Sequence, residues 1–187
     1  PGAPTVYLTF DDGPNPEATP ALLDLLRDEQ VAVTFFLIDR HVTPGTAPII
    51  QRMFREGHGV ALHSHTRAWA FMTPTQLAGT LTASADRIES LTGSRPCPAF
   101  RPHAGFRSGQ MFEGLQRIDY TLVGWGWNLW DWKGVGARDI DAVAKRLGDR
   151  ASAGGTRLGI SATLNSMGLE NFSIALYEDM GLVEEVL

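Results

Sequence analysis

Thr5-Val6-Tyr7-Leu8-Thr9-Phe10 is a β-rich run that ends abruptly at Asp11-Asp12-Gly13-Pro14, so a strand delivers two carboxylates into a tight turn. Pro16 to Gln30 then places Leu22, Leu23, Leu25 and Leu26 at helical spacing, and Val31 to Ile38 reads as a second, fully buried strand. The unit is β-α-β. The alternation continues with a helix over Ala47 to Glu56, a short strand over Gly59 to Leu62, and a long amphipathic helix over Thr75 to Thr92 opened by Thr73 before Pro74. Arg95 to Phe100 leads to a strand near Ala99, Tyr120 to Trp127 is another apolar strand, and Asp139 to Ala151 is a helix with Ile140, Val143, Ala144 and Leu147 on one face. Beyond Gly154, Leu158 to Ile160 reads as a strand, Leu176 to Met180 as part of a helix and Leu182 to Val186 as a terminal strand. Six or seven alternations without repeat or linker predict one α/β barrel, a single domain over residues 1–187.

Composition narrows the function. With 43% hydrophobic and 20% charged residues, the 187-residue chain has the makeup of one globular domain that buries a core. Its net charge is −5 and its 16 basic residues are scattered, which argues against a nucleic acid partner. The most apolar stretches, Leu22 to Leu26 and Val31 to Ile38, fall far short of the roughly 20 residues of a membrane span. No charged, apolar, then small-residue leader opens the sequence, so a secretory signal is expected to have been removed or never present. The lone Cys97, between two prolines, reads as a small buried hydrophobe.

Chemistry gathers where strands end. Asp-Asp-Gly alone is ordinarily a solvated turn with an N-capping role. Adjacent carboxylates on a buried strand, however, repel unless a cation or an arginine separates their duties, and Asp11 with Asp12 gains a partner motif in His63-Ser64-His65-Thr66-Arg67. That motif also follows a strand, on the rim where α/β barrels assemble catalytic groups, and imidazole with carboxylate is a ligand set for zinc or a similar ion. Phe100-Arg101-Pro102-His103-Ala104-Gly105 lies just after a third strand, and its guanidinium is suited to hold and orient Asp11. Trp125, Trp127, Trp130 and Trp132 crowd around Asp131, as either a core layer or the wall of a sugar-stacking groove.

These motifs, in this order, resemble the polysaccharide deacetylase family, also called the NodB homology domain or carbohydrate esterase family 4. Thr9 to Pro14 matches its first motif letter for letter, His63-Ser64 the start of the second, Arg101-Pro102 with Gly105 the third, and Asp131-Trp132 the end of the fourth. The resemblance implies a distorted (β/α) barrel and metal-assisted removal of N- or O-acetyl groups from sugars such as those of xylan, chitin oligomers or peptidoglycan. It implies Asp11 as general base with Arg101 as its partner, Asp12 and His63 as metal ligands, and zinc as the divalent ion. A backbone N–H near His103 or Ala104 would meet the oxyanion, Trp130, Asp131 and Trp132 would line the substrate groove, and the location would be secreted or in the cell envelope.

Three departures accompany the match. Arg67 stands where the family's second metal-binding histidine belongs, and a guanidinium cannot ligate zinc, leaving His58, His65 and His103 as candidates for the third ligand. Asn128 replaces the first aspartate of the fourth motif, and Ser161 falls where the fifth motif has its histidine, none following His103; the resemblance implies that this aspartate orients the histidine that protonates the leaving group. With two ligands the ion would bind weakly or be absent, and Arg67→His would restore the i, i+4 pair. Two readings follow: a divergent deacetylase, or a catalytically weak domain that binds carbohydrate or serves a structural role.

Overall fold

The computed structural model describes residues 5–124 and three further strand segments, 127–128, 157–163 and 175–178. The chain alternates as β1 (Thr5–Gly13), α1 (Ala18–Asp28), β2 (Thr34–Ile38), α2 (Ala47–Arg55), β3 (Gly59–His63), α3 (Pro74–Thr92), β4 (Ala99–Arg101), α4 (Gly109–Gln116) and β5 (Thr121–Leu122). It continues with β6 (Trp127–Asn128), β7 (Arg157–Thr163) and β8 (Ala175–Glu178). One sheet takes the order β5-β4-β3-β2-β1-β7-β8-β6. Neighbours from β5 to β7 in that order are parallel, while β8 runs antiparallel to both β7 and β6.

The strands' two-residue side-chain period sorts the interior into two faces. Phe35 and Leu37 of β2, Val60 and Leu62 of β3, and Phe100 of β4 face Leu23, Leu26, Ile50, Met53, Leu77, Leu81 and Ile88 of the helices in the main core. The alternate residues Phe36, Ala61 and Ala99 form a second cluster on the opposite face. Register puts Asp11 level with Phe36, Phe36 level with Ala61, and His63 level with Arg101. The small side chains of Ala61 and Ala99 leave room on this inner face for larger groups, and the polar site stands there.

Several expectations are corrected. β1 does not stop at Phe10 but runs through both aspartates to Gly13. The apolar run Tyr120 to Trp127 divides into β5 and β6, at opposite ends of the sheet order, with Gly124 outside both strands. Ala175–Glu178 is a strand where Leu176 to Met180 read as helix; a run of four residues fits either period, and pairing with β7 settles the choice. Helix α4 was not anticipated, since Gly109 and Gly114 lower its propensity. The expected helix Asp139 to Ala151 and strand Leu182 to Val186 lie outside the described residues. Thr73 does open α3, through a capping box with Gln76. No helix among the described residues is long and apolar enough to cross a membrane.

Candidate active site

In a regular strand Asp11 and Asp12 would point to opposite faces. A bulge prevents this: the register with β2 shifts between Asp11 and Gly13, and Asp12 takes a φ of 66°. Asp11 stays on the inner face while Asp12 turns toward the rim. The His41 Nδ1–H donates to the Asp12 carbonyl at 3.0 Å and helps to hold the bulge.

Arg101 is 1% exposed, and its Nη1–H donates to Asp11 Oδ1 at 2.5 Å and to Thr9 Oγ1 at 3.0 Å. The guanidinium lies over the Phe36 ring, 3.7 Å from its centroid. Two opposite charges buried together in this geometry orient Asp11 rigidly.

His63 is aimed by its own strand pairing. Its Nδ1 lies 2.7 Å from the Arg101 carbonyl, which only accepts, so Nδ1 carries the hydrogen and Nε2 faces Asp12 Oδ1 at 3.2 Å. In the neutral ring Nε2 is a lone pair, and a lone pair opposite a carboxylate oxygen at this distance needs a cation between them. Either a proton or a divalent ion satisfies it. Burial opposes charge on His63, yet Asp11 and Asp12 together outweigh burial and raise its pKa. Asp12, His63 and His103 each bring one ligand atom within 4.8 Å of the others'. Nitrogen and carboxylate donors arranged this way fit a borderline divalent cation.

The other candidates are dispersed. His65 packs edge-on against Trp69, with centroids 5.9 Å apart, and burial followed by Arg40 lowers its pKa. His58 sits in the core, its Nδ1 accepting the Val33 N–H at 3.3 Å. Arg67 is exposed, at the start of a 3₁₀ turn capped by Thr66. The His103 N–H is taken by Ser64 Oγ at 2.8 Å, whereas the Ala104 N–H makes no hydrogen bond among the described residues. Ala104 and Gly105 both have positive φ and are closed by the Phe106 N–H on the His103 carbonyl at 3.1 Å, as in a type I′ turn. Trp130, Asp131 and Trp132 lie outside the described residues, and Asn128 and Ser161 are placed by backbone alone, Ser161 level with Thr9.

Sequence reasoning missed several neighbours. Thr9 could have been found, since it shares the inner face of β1 with Asp11 at a spacing of two. Ser64 stands in the second motif but its tie to the His103 N–H, like the role of His41, depends on which loops meet. Phe71 and Phe106 form an exposed aromatic pair, 5.8 Å between centroids, on the loops that follow β3 and β4. A cleft of about 160 Å³ is lined by Pro102, Ala104, Gly105, Arg107, Leu122 and Gly124.

The model of the polysaccharide deacetylase family matches residues 1–123, and the chain belongs to that family. It is 32% identical over 130 residues to the peptidoglycan-N-acetylmuramic acid deacetylase PdaA of Bacillus subtilis, covering 69% of this chain and 49% of the relative. The chain spans about half the length or less of the curated relatives it matches first. Among solved structures, the peptidoglycan deacetylase PdaC of Bacillus subtilis superposes with a TM-score of 0.71 at 24% identity, covering 91% of this chain and 78% of that one. A family 4 acetyl xylan esterase from Clostridium thermocellum, in complex with a cobalt ion, does so with a TM-score of 0.69 at 31% identity, covering 89% and 76%. The fold is thus the NodB-type α/β fold, as the motifs implied.

Proposed function

We propose that the chain is a divalent-metal-dependent deacetylase of acetylated polysaccharides, secreted or held in the cell envelope, with residues 1–187 acting as one catalytic domain. The observation that carries this reading is the buried Asp11–Arg101 couple beside the Asp12–His63 pair. The names of its relatives, which include peptidoglycan and chitooligosaccharide deacetylases and an acetyl xylan esterase, support the substrate class.

Asp12 and His63 would hold the ion, for which zinc suits the donors. Bound there, a divalent ion supplies Lewis-acid polarisation of the acetyl carbonyl and acidifies water. Asp11, fixed by Arg101, takes a proton from the attacking water. The water oxygen adds to the acetyl carbon, and the Ala104 N–H, which makes no hydrogen bond among the described residues, would donate to the oxyanion. The bond from that carbon to the sugar oxygen or nitrogen then breaks, acetate leaves, the departing atom takes up a proton from solvent, and Asp11 gives its proton back to solvent. Phe71 and Phe106, with Trp130, Asp131 and Trp132, supply surface for pyranose rings.

Acetate release from acetylated xylan, chitin oligomers and peptidoglycan by the zinc-loaded chain tests the reading, with Asp11→Asn as control. Release from at least one polymer, abolished in the variant, is expected. Binding of these polymers without any release would favour the carbohydrate-binding alternative, which the replaced fourth- and fifth-motif residues Asn128 and Ser161 motivate.

A further inference from the structure

The site has no imidazole one helical turn after His63, where the family resemblance places one. Arg67 occupies that position, is exposed, and has no lone pair to give. His65 is close in sequence, but its ring lies against Trp69 and outside the cluster of convergent donor atoms. His103 lies inside that cluster.

Three separate features bring its ring there. β3 and β4 are parallel with His63 opposite Arg101, so both strands release their loops at the same height. The His103 N–H on Ser64 Oγ, at 2.8 Å, ties one loop to the other. The turn at Ala104 and Gly105 then folds the chain back, leaving the His103 ring 6.2 Å from that of His63, centroid to centroid.

We infer that His103 is the third protein ligand of the divalent ion, replacing from the β4 loop the imidazole lost at position 67; this rests on the metal-dependent reading above. The resulting set, one carboxylate and two imidazoles, is that of a catalytic zinc with an open position. The weak, two-ligand binding expected from the sequence then does not apply. The exchange also changes what β4 does: Arg101, which orients the base, and His103, which holds the ion, stand two residues apart on one segment, so base and metal share a single anchor.

The test is zinc titration by calorimetry on the whole chain, native and with His103→Ala or His65→Ala, together with the visible spectrum after loading Co²⁺. His103→Ala is expected to weaken zinc binding by more than about 100-fold, beyond the range seen when only the groups orienting a ligand are changed, and to alter the cobalt spectrum. His65→Ala is expected to change neither. Should His103→Ala fail to fold, imidazole ¹⁵N shifts of the native chain on adding Zn²⁺ report ligation without any substitution. A His103 ring whose nitrogens do not move, or a folded His103→Ala protein with native affinity and cobalt spectrum, overturns the assignment. Acetate release is scored separately. Release by a native chain whose zinc affinity ignores His103 overturns this ligand alone, whereas His103-dependent zinc binding without release overturns the deacetylase reading alone.

Discussion

Asp11 and Arg101 illustrate what a residue's surroundings add to its type. Asp11→Asn keeps the volume and loses the basic lone pair, so acetate release should vanish while the circular dichroism spectrum stays native; surviving activity would remove Asp11 as base. Arg101→Ala should cost both activity and stability. An exposed ion pair contributes about 1 kcal/mol or less, but breaking a buried pair costs about 3–5 kcal/mol, and denaturant unfolding separates the two. His58 offers a pH test away from the site. Burial lowers its pKa below 6.5, with Glu56 opposing, so the folded state holds the ring neutral. Its stabilisation is complete above the unfolded-chain value and is lost as pH falls through the lower folded value. In the metal-free chain His63, whose pKa is raised, acts in the opposite sense, so the comparison must be with a variant. The native Tm should therefore fall more steeply than that of His58→Asn between about pH 7 and about pH 5; parallel curves would contradict the assignment. Asp11, Asp12, His63 and Arg101 were all legible in the sequence because each sits at a strand's end. The position of His103 was not, since it depends on a hydrogen bond to a serine 39 residues earlier.

At the scale of elements, two glycines in helices show why α4 escaped the sequence reading while α3 did not. Gly79 lies on the exposed side of α3, where an added Cβ would meet nothing within 4 Å. Gly114 is buried in α4, where a Cβ would come within 2.9 Å of the Pro74 carbonyl and 3.2 Å of the Leu77 side chain. Propensity alone ranks both positions as better with alanine. Packing reverses one of them. Gly79→Ala should stabilise the fold by about 0.5–1 kcal/mol, whereas Gly114→Ala should destabilise it by about 1–3 kcal/mol as α4 is pushed off the start of α3. Opposite signs in chemical denaturation are the expected outcome, and equal shifts would mean that α4 does not pack as closely as described. The same logic explains the strands. β2 and β3 were legible because each carries a run of consecutive apolar residues, Phe35 to Ile38 and Val60 to Leu62, while β8 was misread because four residues fit two periods and only the partner strand distinguishes them.

For the molecule as a whole, the residues proposed as base and metal ligands stand on β1, β3 and the segment of β4 and its loop, while the positions the resemblance assigns to the leaving-group acid hold Asn128 and Ser161 on β6 and β7. That imbalance has a chemical consequence. The tetrahedral intermediate of an amide expels its amine only once the nitrogen is protonated, so N-deacetylation depends on a positioned acid. An ester intermediate expels a sugar alkoxide, a far better leaving group, which can be protonated by solvent as it departs. A catalyst with a complete base arm and a weakened acid arm should thus favour O-acetyl over N-acetyl groups. The expected outcome is a kcat/KM for acetylated xylan well above that for N-acetylated chitin oligomers, measured as acetate release with the same metal loading. Ser161→His should narrow the gap by raising the amide rate more than the ester rate. Its position level with Thr9, two residues below Asp11 on the neighbouring strand, puts the new imidazole on the strand bordering the base. Equal rates on ester and amide in the native chain would mean that another group protonates the leaving nitrogen, and the preference argued from the missing histidine would fall with it.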